Sequence, residues 1–128
     1  MATGTMTPTI TSTSRNQDNL IVFGTIAVSA GTDTYATGGL VCSFAGLDTL
    51  KTSATKPVWI SIMSAPAAGT SPSGWLYNYC YGTSLATGKV AIFGSNSSAT
   101  NLAEYGNGSA LTTVATDVIT FRAEFTFS

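Results

Sequence analysis

The chain has 128 residues, enough for one domain of ordinary size. Only 9% of them are charged against 44% hydrophobic, the net charge is −1, and there is no histidine. This balance excludes a basic nucleic-acid footprint and removes the commonest general base and transition-metal ligand together.

No apolar run approaches the roughly 20 residues that a membrane helix needs. The start, Met1-Ala-Thr-Gly-Thr-Met-Thr-Pro8, has neither the positive nor the apolar segment of an export signal, so the chain is expected to be made and kept in a cytosol. Thr, Ser, Gly, Asn and Ala take the place of the missing charge. Hydroxyl-coated surfaces suit strands and repel one another weakly. They point to a surface largely covered by neighbours, with a neutral soluble domain as the plainer alternative.

Residues 1–17 are low in complexity, with Thr at every odd position from Thr3 to Thr13. Met6 and Ile10 are the only sizeable apolar anchors, so the segment is expected to be a loose tail or an arm that adds a strand to a partner's sheet. Asn19 to Ser29 is the first strong strand, with Leu20, Val22, Ile26 and Val28 on one face and Ile21 and Phe23 on the other. Gly24 inside it signals a bulge or a close backbone approach. Ala30 to Asp33 is a turn, and Gly38 and Gly39 allow a kink before a strand over Leu40 to Phe44. Residues 46–55 form a loop or short helical turn anchored by Leu47 and Leu50. Pro57 opens a strand over Val58 to Ser64, and 65–74 is a Pro/Gly loop.

Trp75, Tyr77, Tyr79 and Tyr81 alternate against Leu76, Asn78 and Cys80, and the chain turns over 82–88. Lys89 to Phe93 returns as a partner strand. Residues 94–100 form a Ser/Asn loop, Leu102 to Tyr105 is a short extended piece, and Gly106-Asn-Gly108 is a turn. Leu111 to Ala115 leads into the clearest strand, where Ile119, Phe121, Ala123, Phe125 and Phe127 alternate with Thr120, Arg122, Glu124 and Thr126. No amphipathic segment of three helical turns is present. The expected fold is all-β: a two-sheet antiparallel β-sandwich, jelly-roll or immunoglobulin-like, over 18–128, with residues 1–17 as an extended N-terminal arm.

Two cysteines without CxxC spacing, in a chain lacking histidine, leave nothing for a zinc site or a cysteine–histidine nucleophile. Cys42 and Cys80 read as buried small hydrophobes, with a disulfide as the alternative. Arg122 and Glu124 read as a surface ion pair. Asp33 and Asp48 lie near glycine-rich turns, where calcium binding is the minor reading and a solvated turn the main one. Asn96-Ser-Ser98 and Asn107-Gly-Ser109 match the glycosylation acceptor pattern, which carries no weight without an export signal. No catalytic, cofactor-binding or metal-binding residues are expected. The candidate interface residues are Met6 and Ile10 in the arm and Trp75, Tyr77, Tyr79 and Tyr81 in the aromatic row. Packing of the row in the core is the main reading, a protein interface the second and a sugar platform the third.

Several pieces in order carry a resemblance: Val22-Phe-Gly-Thr-Ile26, Tyr35-Ala-Thr-Gly-Gly-Leu40, Trp75-Leu-Tyr-Asn-Tyr79, Gly88-Lys-Val-Ala-Ile-Phe93 and Ala103-Glu-Tyr-Gly-Asn-Gly-Ser-Ala-Leu111. Together they resemble small structural proteins of tailed bacteriophages, above all head decoration or cement proteins. The resemblance implies a non-enzymatic subunit on the outside of the virion capsid, assembled in the host cytoplasm. It implies the major capsid protein and further copies of the chain, as a homotrimer or other homo-oligomer, as partners, without cofactor, nucleic acid or membrane. A tail, collar or baseplate component and a carbohydrate-binding β-module are the alternatives.

Overall fold

The computed structural model describes residues 2–15, 19–45, 57–65, 75–95 and 102–126. Among them the protein is all-β, with eight strands and one 3-10 turn at Val114–Thr116. The strands are β1 (Thr5–Arg15), β2 (Asn19–Val28), β3 (Leu40–Cys42), β4 (Trp59–Ser64), β5 (Leu76–Cys80), β6 (Lys89–Ser95), β7 (Leu102–Glu104) and β8 (Ile119–Thr126). The expected loops at 46–55 and 66–74, the Asp48 and Asn96 positions and Phe127 lie outside the described residues.

The strands join in one mixed sheet, ordered β4-β8-β2-β1-β3-β6-β5, with β7 paired to β6. Separate antiparallel sheets were expected. Here β1 bridges what would have been two sheets, through an antiparallel ladder with β2 and a short parallel one with β3. The two ends of the order, β4 and β5, come back against each other, so the sheet nearly closes into a barrel.

The threonine-rich start is not a separate arm in this structure: residues 5–15 are β1, inside the chain's own sheet. The reason lies in the even positions. Gly4, Met6 and Pro8 are buried and Ile10 packs against the core, while the threonines between them face outward. That narrow apolar face is enough because β2 and β3 supply partners on both sides. Pro8 costs no bond to β2. Ser29 donates its N–H to the Thr5 carbonyl, so by alternation the Pro8 nitrogen faces away from β2, beyond the last β1–β3 pair.

Gly24 marks a close approach: a Cβ there would stand 2.0 Å from the Thr9 carbonyl oxygen, opposite the bulge between Ile10 and Ser12. Gly38 and Gly39 take positive φ of 97° and 117°, which lets the chain turn sharply into β3.

The inner face is apolar throughout. Val22, Leu40, Cys42, Val90, Ile92, Ala123 and Phe125 are fully enclosed. Phe44, just after β3, packs edge-on to Phe121 at 5.3 Å and to Tyr79 at 6.0 Å, linking the β3–β6–β5 wall to β8 across the interior. Rings at such separations contribute about 0.5–1.5 kcal/mol beyond the area they bury.

Candidate functional site

Three polar arrangements serve the fold. Tyr35, buried, fills the step between β3 and β7 on one edge of β6. Its hydroxyl donates to Glu104 Oε2 at 2.6 Å and accepts the Ile92 N–H at 3.2 Å, satisfying a buried donor that neither strand reaches. The bond from Tyr35 and a second from the Gly38 N–H hold the Glu104 carboxyl below its ordinary range. Burial first, and then the bond to Glu104, push the Tyr35 phenol up. At the seam between β4 and β5, Asp117 accepts from Ser64 at 2.7 Å and from Tyr77 at 2.5 Å. In the turn before β6, Thr87 Oγ1 accepts the Ser84 N–H at 3.0 Å.

The aromatic row divides by depth. Tyr77 is buried, Tyr79 and Trp75 are half-buried against the core, and Tyr81 is 49% exposed. The rings meet neighbours edge to face, Tyr79 on Tyr81 and Trp75 on Tyr105. Of the other expected contact residues, Met6 is enclosed in the chain's own core and Ile10 packs beside it. Cys42 and Cys80 are free thiols. Val41 and Cys80 both pair with Lys89 from opposite edges of β6, so Cys80 shares the face of Val41 while Cys42 points to the other. The intervening strand β6 and the sheet itself separate the thiols, and burial pushes the Cys42 thiol up to about 12.

The recess with binding character lies elsewhere, on the outer face of β1, β2, β8 and β4. It is a groove of about 600 Å³ lined by Phe23, Trp59, Met63, Arg122 and the hydroxyl residues around them. Register assembles it. Phe23 lies directly across from Arg122, which lies across from Ser61, while Trp59 and Met63 stand one pleat to either side on β4. The Arg122 guanidinium carbon sits 5.4 Å from the Phe23 ring centre and 5.2 Å from that of Trp59. The expected Arg122–Glu124 ion pair is absent among the described residues. Side chains two apart on one strand face are further from each other than from their cross-strand neighbours. Arg122 accordingly turns to the rings, and Glu124 accepts a bond from Asn19 Nδ2 at 2.8 Å.

No part of this groove was singled out as a site in the sequence. The available signal was Phe23 and Ile21 on the face of β2 opposite its core residues. Among the described residues no cluster of His, Cys, Asp or Glu could hold a metal ion, and no helix is long and apolar enough to cross a membrane. The fold and the groove define the chain as an all-β domain with apolar residues on both faces of its sheet. No protein-family model, no curated protein and no solved structure matches it.

Proposed function

We propose that this protein is a non-enzymatic virion structural protein that binds the outside of a bacteriophage capsid and stabilises the shell. Its partners are the major capsid protein and further copies of itself. The observation that carries this reading is the apolar outward surface of a charge-poor chain. Val58, Met63, Leu76 and Val118 are each more than half exposed, and Phe23 and Val41 stand out beside them. Large apolar side chains left in water favour contact with another protein surface. Repetition on a lattice lets individually modest contacts hold firmly, because each neighbour raises the effective concentration of the next. The same reading takes the nearly closed sheet as a two-layer sandwich of the jelly-roll or immunoglobulin-like kind, one wall built on β2–β8–β4 and the other on β3–β6–β5.

The test is direct. Particles are purified from the source host, probed with antibody raised against the protein, and imaged. Stripped particles are then reloaded with purified protein and heated. Label on the head surface, together with higher heat resistance after reloading, supports the reading. Label on the tail moves the protein to the tail, collar or baseplate, and unlabelled particles that do not bind it overturn the virion assignment.

A further inference from the structure

The groove on the outer face holds a cation that has no acidic partner among the described residues. Among the described residues Arg122 makes neither an ion pair nor a hydrogen bond, and it lies against the Phe23 and Trp59 rings. The nearest acid along its own strand face, Glu124, is engaged by Asn19 at 2.8 Å. A guanidinium laid against aromatic rings keeps the N–H groups on its edge available, and those donors match the two oxygens of a carboxylate.

The surroundings say what else the ligand carries. Met63 is 56% exposed beside the cation, and Phe23 is 37% exposed. Two of the hydroxyls that could greet a polar ligand turn toward the backbone instead, Thr11 Oγ1 to the Phe23 carbonyl at 3.2 Å and Thr120 Oγ1 to the Met63 carbonyl at 3.5 Å. Those two hydroxyls give their proton to the backbone and keep only acceptor capacity for a ligand, whereas an apolar side chain needs only the rings and the thioether.

We infer that this groove binds an extended protein segment presenting one glutamate or aspartate between apolar residues, with Arg122 taking the carboxylate and Phe23, Trp59 and Met63 taking the flanks. The inference deepens the reading of this protein as one that attaches to another protein, and rests on that much of it. It does not need the other protein to be a capsid subunit.

The probe is the capped heptapeptide Ser-Leu-Val-Glu-Val-Leu-Ser, titrated into the full-length protein to about 10 mM, where contacts of this size become visible by NMR. The signals followed are the Trp59 indole and the Arg122 Nε–H. The chain has two arginines and two tryptophans, and the Arg122→Gln and Trp59→Phe variants assign each signal by its loss. Both signals are expected to shift and saturate. The peptide with glutamine in place of glutamate should bind about tenfold or more weakly, since a charged bidentate contact is lost. Arg122→Lys should weaken binding, because an ammonium lacks the planar fork. Met63→Ser should weaken both peptides equally.

Equal affinity for the two peptides, or no shift at the highest concentration, overturns the proposal. So does stronger binding of free N-acetylneuraminic acid, which would make the groove a site for acidic sugars. The titration uses no capsid. Its failure leaves the capsid assay to stand alone, and failure of the capsid assay leaves the groove result intact.

Discussion

Asp117 gathers both ends of the sheet on one carboxylate. Ser64 reaches it from the end of β4 and Tyr77 from β5, at 2.7 and 2.5 Å. The Tyr77 phenol is pushed up by burial first and by the bond to Asp117 second. Tyr77→Phe removes one donor to a charged acceptor, and the expected cost is about 1.5–3 kcal/mol of unfolding free energy in a urea titration. A variant as stable as the parent would mean that the Tyr77 bond adds nothing to the seam. The pH dependence follows from the same kind of contact. Tyr35, Tyr77 and Tyr79 all have raised phenol pKa values, chiefly through burial. Their contribution is therefore intact below the ordinary value of 10.0 and is lost as pH climbs above it. Glu104 works in the opposite sense. Its depressed carboxyl contributes stability above the ordinary 4.5, and that contribution fades as pH falls through the lowered value. The melting temperature should decline on both flanks, and Glu104→Gln should flatten the acid flank and, by removing one of the contacts that raise the Tyr35 phenol, ease the alkaline one only in part. The two cysteines should separate in thiol labelling: Cys80, half-exposed, reacts in the native protein, and Cys42, sealed in the core, reacts only on unfolding.

At the scale of strands, legibility followed contrast between faces. β8 was plain in the sequence because Ile119, Phe121, Ala123 and Phe125 differ so sharply from the residues between them, and the structure buries all four. β1 is hard to read in the sequence because its inner set of Gly4, Met6, Pro8 and Ile10 is small or conformationally odd. The abundant threonines drew attention to the solvent face, and the parallel partner β3 could not be foreseen. The groove was invisible for a related reason. It needs residues 23, 59, 63 and 122 from three strands in one register, and no local pattern encodes that juxtaposition. The consequence for β1 is testable. Removing residues 1–17 takes away a strand paired on both sides together with Met6 from the core. The truncated chain should lose its cooperative melt and its native near-ultraviolet dichroism. A truncated chain that melts like the parent would restore the separate-arm description.

The whole molecule combines a closed interior with an outward surface that is not fully finished. One face of the curled sheet makes a continuous core, and the other carries apolar side chains around an arginine held between rings. Such a domain has apolar area left on its outward surface, which supports the proposed attachment to another protein. Its many uncharged hydroxyl residues weaken long-range repulsion between copies and so permit dense arrays. The measurement that bears on both halves of this description is hydroxyl-radical footprinting of the protein, first free and then bound to reloaded particles. Free protein should oxidise readily at Met63 and hardly at Met6. Bound protein should lose oxidation at Met63, Trp59 and Phe23 while Met6 stays silent. Rapid oxidation of Met6 in the free protein would contradict the internal position of β1, and undiminished oxidation of Met63 on the particle would contradict the outer face as the surface of attachment.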